Sequence, residues 1–183
     1  TILVGVNEQV KGLIGIENLV EADRDAYQSH LALLARITGS VPAGDEADKA
    51  NKDAILSNHD QVKERFGTFR DTYQPASPDD KAALAELYAV FDTTYSDVGK
   101  ALESMLQGLG DAEASMKFYR QAYLPAFSAL RSSIDEMTNI TYENAITQNK
   151  NISEIINNIP GFVGTGLVVL SLLTIGLAVL ITA

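Results

Sequence analysis

From residue 2 to residue 158 the apolar residues recur at alternating spacings of three and four, and no stretch shows the two-residue period of a strand. Such a chain folds into helices, and its punctuation divides them. VPAGD at 41–45 holds Pro and Gly, PASPDD at 75–80 reads as a helix stop followed by a start, and GLGD at 108–111 is a glycine-rich turn. In the second, Ser77 is placed to cap, Pro78 suits the first helical position, and Asp79 and Asp80 face the positive end of the dipole. The expected helices run over roughly 2–40, 46–74, 78–108 and 111–158, and connections this short impose up-down-up-down order.

Each helix carries a seam suited to an antiparallel bundle. The first reads Leu13, Ile16, Val20, Arg24, Tyr27, Leu31, Leu34; the second Ile55, His59, Val62, Phe66, Phe69, Tyr73. The third reads Leu84, Leu87, Phe91, Tyr95, Val98, Leu102, Met105, and the fourth Met116, Arg120, Tyr123, Phe127, Leu130, Ile134, Met137, Thr141. Past Thr141 the fourth seam is expected to slip to Tyr142, Ala145, Asn149 and Ile152, placing an amide at a core position, where it fixes register or partner number. Pro125 inside this helix removes one backbone bond and is expected to bend it.

The run FVGTGLVVLSLLTIGLAVLITA, residues 162–183, has no charge. At 1.5 Å per residue it makes about 33 Å of helix, enough to span a bilayer. The predicted fold class is therefore all-α: an antiparallel up-down-up-down four-helix bundle (1–158), a juxtamembrane break (159–161) and a C-terminal transmembrane helix (162–183). The apolar opening TILVGV reads as the exit of an earlier membrane span.

Fourteen Lys and Arg against 24 Asp and Glu give a net charge of −10, which repels phosphate backbones, so nucleic acid is not an expected partner. Without cysteine there are no disulfides, thiolate metal sites or Cys nucleophile, and His30 and His59 are the only histidines. No cofactor or metal is expected. No GxSxG, GxxxxGK[ST] or GxGxxG occurs, and no nucleophile can be assembled with an acid–base pair, so the chain reads as a non-enzyme.

Tyr27, His59, Tyr95 and Tyr123 each fall about 12–13 residues from the loop end of their helices, roughly 18–20 Å down. Arg24 and Arg120 occupy seam positions a turn away. A polar belt across the core is therefore expected. A buried guanidinium stays charged and needs oxygen partners. Those are internal (Asp23, Asp25, Asp92 or Glu21) or belong to a ligand carboxylate gripped by Arg24 and Arg120 between Tyr27, Tyr123 and Phe127. The candidate ligand-binding residues are Arg24, Tyr27, His59, Arg120, Tyr123 and Phe127.

ENLVEADRDAYQSHLALLA on the first helix, FYRQAYLPAFSALRSSIDEMTNITYENA on the fourth, and the apolar span after it resemble the sensor module of bacterial methyl-accepting chemotaxis proteins. Asp23, Arg24, Asp25, Tyr27 and Gln28 carry the more specific part of the resemblance. It implies a periplasmic bundle on the bacterial inner membrane, a homodimer through helices 1 and 4, and a small ligand, an organic or amino acid, whose binding displaces helix 4 toward the membrane. Ligand-contacting arginines of such modules would fall to Arg24, Arg36, Arg120 or Arg131. The same sensor on a histidine kinase or nucleotide cyclase, and a tail-anchored helical interaction protein, are the alternative readings.

Overall fold

The computed structural model of the protein describes residues 2–42, 44–108 and 111–157. The expected break at 159–161 and membrane helix at 162–183 lie outside the described residues. Among those described, no helix is long and apolar enough to cross a membrane.

Every regular element among the described residues is helical. Helix α1 spans Ile2–Ile37, α2 Asp45–Thr72, and α3 Pro78–Gln107. A fourth rod consists of α4 (Ala112–Phe118), a π-helical turn (Tyr119–Tyr123) and α5 (Leu124–Asn157). Local chemistry sets these ends. The first helix stops at Ile37, three residues short of the expected limit, because Gly39 turns the chain at φ 68°. The Gly39 and Ser40 amides then donate to the Arg36 and Ala35 carbonyls, closing the last turn. Ser77 Oγ accepts from the Asp80 amide ahead of α3, and Asp111 Oδ1 accepts from the Ala114 amide ahead of α4.

Side-chain pairings show antiparallel neighbours. Ser29 Oγ donates to the Ile55 carbonyl and Asn51 Nδ2 to the Ala32 carbonyl, joining α1 to α2. Arg131 binds Asp23, while Ile152 lies against Gly5, joining α5 to α1 in the opposite sense. Backbones of α2 and α3 stand further apart, and aromatic rings fill the space. Phe66 stacks on Phe91 at 3.7 Å and His59 on Tyr95 at 4.1 Å between centroids, with Tyr88 edge-on to Phe66. Each such pair contributes about 0.5–1.5 kcal/mol beyond burial.

The α2 seam is buried as expected, from Ile55 to Tyr73. The α1 seam is displaced. Its buried side carries Gly12, Gly15, Leu19, Ala22, Ala26, Ser29 and Leu33. Small residues let α1 approach α2 closely: a Cβ on Gly15 would lie 3.2 Å from Phe69 Cδ2 and 3.3 Å from Tyr73 Cβ. Bulk was the wrong guide on this helix. Tyr27 and Leu31 sit on its shoulder, 46% and 48% exposed. The expected slip in the fourth rod is also corrected at Tyr142, which is exposed while Thr141 is fully buried.

Candidate ligand-binding site

The triplet Asp23, Arg24, Asp25 is resolved by helix geometry. Successive residues turn about 100°, so Asp23 and Asp25 point to nearly opposite sides of α1. Asp23 meets α5: its two oxygens accept from Arg131 Nε at 2.5 Å and Nη2 at 2.7 Å, a bidentate pair. Asp25 meets α2 and is 1% exposed. Its Oδ1 accepts from Arg24 Nε and Nη2 at 3.1 and 2.9 Å, and Arg65 Nε stands 3.8 Å from Oδ2. Arg65 also bonds Glu21 at 2.8 Å. The three charges thus tie α1 to both neighbours. Arg24 itself does not enter the core as expected: its side chain is half exposed, folded back over Asp25 and Glu21. The buried partner is the aspartate, because the position falls on the small-residue side of α1.

One turn toward the loop end, His30 fills the seam between α1 and the fourth rod. Its ring stacks on Phe127 at 4.4 Å and 9°, and on Tyr123 at 5.7 Å and 11°. Tyr27 and Tyr119 complete the group, each 5.9 Å away. The Arg131 guanidinium lies 5.5 Å over the Tyr27 ring and 5.9 Å from Phe127, capping the cluster with a cation held by Asp23. Burial, with the Arg131 charge behind it, lowers the His30 pKa and keeps the ring neutral. Burial raises the Tyr123 hydroxyl. Two polar atoms here are buried with no hydrogen-bond partner among the described residues, His30 Nδ1 and Tyr123 Oη. Tyr119 Oη reaches His30 Nε2 only at 3.5 Å.

The backbone is irregular at the same level. The Leu124 amide bonds the Tyr119 carbonyl, five residues back rather than four. Pro125 supplies the cause: it has no N–H, and its ring crowds the carbonyl four residues earlier, which one extra residue in the turn relieves. The expected bend at Pro125 is realised as this π turn.

Of the six candidate residues, Tyr123 and Phe127 are core members of the cluster and Tyr27 is its exposed wall. His59 belongs elsewhere, buried against Tyr95 with its pKa lowered to about 4 by desolvation. Arg24 faces outward, and Arg120, expected in the seam, is exposed on the π turn. The expected continuous belt is therefore two separate clusters, one at His30 and one at His59. The π turn contributes to the split, since the extra residue rotates Arg120 away from the seam that Tyr123 occupies.

Sequence reasoning did not place His30 or Tyr119 in the site; it named Asp23 only as a partner for Arg24, and Arg131 only through the family resemblance. The signal was present: His30 lies three residues after Tyr27, Tyr119 four before Tyr123 and Arg131 four after Phe127, all neighbours on a helix surface. No protein-family model matches the chain, and neither the curated proteins nor the solved structures include a match.

Proposed function

We propose that the chain is the extracytoplasmic sensor module of a transmembrane chemoreceptor in the bacterial inner membrane, binding a small carboxylate between α1 and the fourth rod. The observation that carries this reading is the His30 cluster. It straddles two helices at a π turn and holds two buried polar atoms without partners beside a guanidinium. Such atoms destabilise a fold, and they persist where a ligand or a second conformation uses them. A ligand carboxylate takes the Arg131 fork in competition with Asp23, with Tyr27 as its outer wall and Tyr123 and His30 as hydrogen-bonding groups.

The fourth rod is the element that carries the signal. From Leu124 to Asn157 it is unbroken for 34 residues, about 51 Å, leading toward the uncharged run at 162–183. A ligand that binds two positions of this rod with different affinity shifts their populations. Dimerisation through α1 and α5 fits the exposed apolar residues that recur there: Val10, Ile14 and Leu31 on one helix, Tyr142 and Ile146 on the other.

The experiment is a thermal-shift screen of the full chain in lipid nanodiscs against amino acids and small organic acids. A binder at a hundredfold its Kd adds about 2.7 kcal/mol of stability. Arg131→Ala and Tyr123→Phe should each remove the shift while helicity is retained. A screen with no hit, or a hit indifferent to both substitutions, overturns the reading.

A further inference from the structure

We propose that the π turn at Tyr119–Tyr123 is one of two registers of the fourth rod, and that the other turns Arg120 inward against the His30 cluster. In the register described, the Leu124 amide closes on the Tyr119 carbonyl; Tyr119 and Tyr123 are buried and Arg120 is exposed. Winding this turn at ordinary α pitch rotates everything before it by about 100° relative to α5. Met116, Arg120, Tyr123 and Phe127, spaced four, three and four, then share one face, and Arg120 takes the place that Tyr119 holds. Little packing opposes the rotation. The segment that has to turn, Ala112–Phe118, contains no buried residue, and its Met116 and Phe118 are only partly covered.

Each register has a defect that the other repairs. In the π register, Tyr123 Oη and His30 Nδ1 are buried with no hydrogen-bond partner among the described residues. Both atoms can accept, Nδ1 when the ring proton sits on Nε2, which faces the Tyr119 hydroxyl at 3.5 Å. A guanidinium offers five donors, and Arg120 turned inward brings them to these two atoms. Nothing holds it outside: Arg120 makes no ion pair among the described residues. In the α register the cost falls at Pro125, which has no N–H for the Gln121 carbonyl and crowds it. A second cost is the charge drawn in beside Phe127, where Arg131 already lies. The inward register is therefore the less populated one. An anion in the cluster raises it by pairing with Arg120; that step rests on the carboxylate reading above, whereas the exchange itself does not.

Helix register shifts fall in the microsecond-to-millisecond range, which amide ¹⁵N relaxation dispersion reads without any ligand. The full chain in nanodiscs should show such exchange at Tyr119–Leu124 and at the His30 ring, and none in α2 over Ile55–Val62. Pro125→Ala returns a donor to the Gln121 carbonyl and should raise the minor population about tenfold. Deletion of Gln121, which is exposed, removes the extra residue and leaves one register, so its profiles should be flat. Profiles flat in both wild type and Pro125→Ala, a Pro125→Ala population no larger than that of wild type, or exchange that survives the deletion overturns the proposal. If the deletion unfolds the chain, Pro125→Ala decides alone. A thermal-shift screen without a hit would remove the carboxylate and leave this exchange standing.

Discussion

Tyr123→Phe should make the protein more stable. The Tyr123 ring is fully buried among His30, Tyr119 and Phe127, and its hydroxyl has no hydrogen-bond partner among the described residues. A buried hydroxyl left unpaired costs about 1–3 kcal/mol relative to its hydrated state. Phenylalanine keeps the ring, its 5.6 Å stacks on Tyr119 and Phe127, and the χ angles, while deleting the unpaired group. After allowing for the few dispersion contacts of the lost oxygen, the expected gain is about 1–2 kcal/mol. For a helical domain of this size that raises Tm by roughly 3–6 °C. Urea denaturation followed by far-UV circular dichroism reads the gain as a higher midpoint at unchanged slope. The same substitution should abolish the carboxylate response, giving a stability gain and a functional loss at one atom. A lower Tm would refute the reasoning, since it would mean that the hydroxyl is paired in solution and the site carries no stored cost.

Three further outcomes follow from the packing. Gly15→Ala should destabilise by about 1–2 kcal/mol despite alanine's better helix propensity, because its Cβ meets Phe69 and Tyr73 at 3.2–3.3 Å; Gly67→Ala, with nothing within 4 Å, should stabilise by about 0.5–1 kcal/mol. Paired thermal melts check both signs. The folded chain holds His59 at about 4 against an ordinary 6.5, so the unfolded chain takes up the proton first as pH falls. Stability is complete above about pH 6.5, drops by up to about 3 kcal/mol toward pH 4 and is flat in this component below it, with His30 adding in the same direction. His59→Phe should flatten most of the slope between pH 6.5 and 5 in urea midpoints. A double-mutant cycle of Asp23→Asn and Arg131→Ala should return a coupling of about 1 kcal/mol, the value for a partly exposed bidentate pair.

The helices, their order and most of the core were legible because period and punctuation act locally. Ser77 with Pro78, and the α2 run from Ile55 to Tyr73, stand where the pattern put them. On α1 the pattern misled because it ranks positions by bulk. Close approach to α2 selects Gly12, Gly15 and Ala22, and leaves Tyr27 and Leu31 on the shoulder. In the fourth rod, counting residues assumed uniform helical pitch, whereas Pro125 forces a π turn whose extra residue turns Arg120 outward. The site inherits both errors. Tyr123, Phe127 and Tyr27 were found, but His30 was absent from a reading that placed α1 one face away. Asp23 and Arg131 meet across 108 residues of sequence, a pairing that only the assembled bundle discloses.

The central claim is that a carboxylate engages the His30 cluster. With only two histidines in the chain, ring ¹⁵N NMR of the full protein in nanodiscs resolves it, His59 serving as the internal reference. Titration with the acids of the thermal-shift panel should move the His30 ring nitrogens saturably for a binding member, leave His59 unmoved, and lose the effect in Arg131→Ala. A binding acid that shifts neither ring, or shifts His30 equally in Arg131→Ala, would contradict the account.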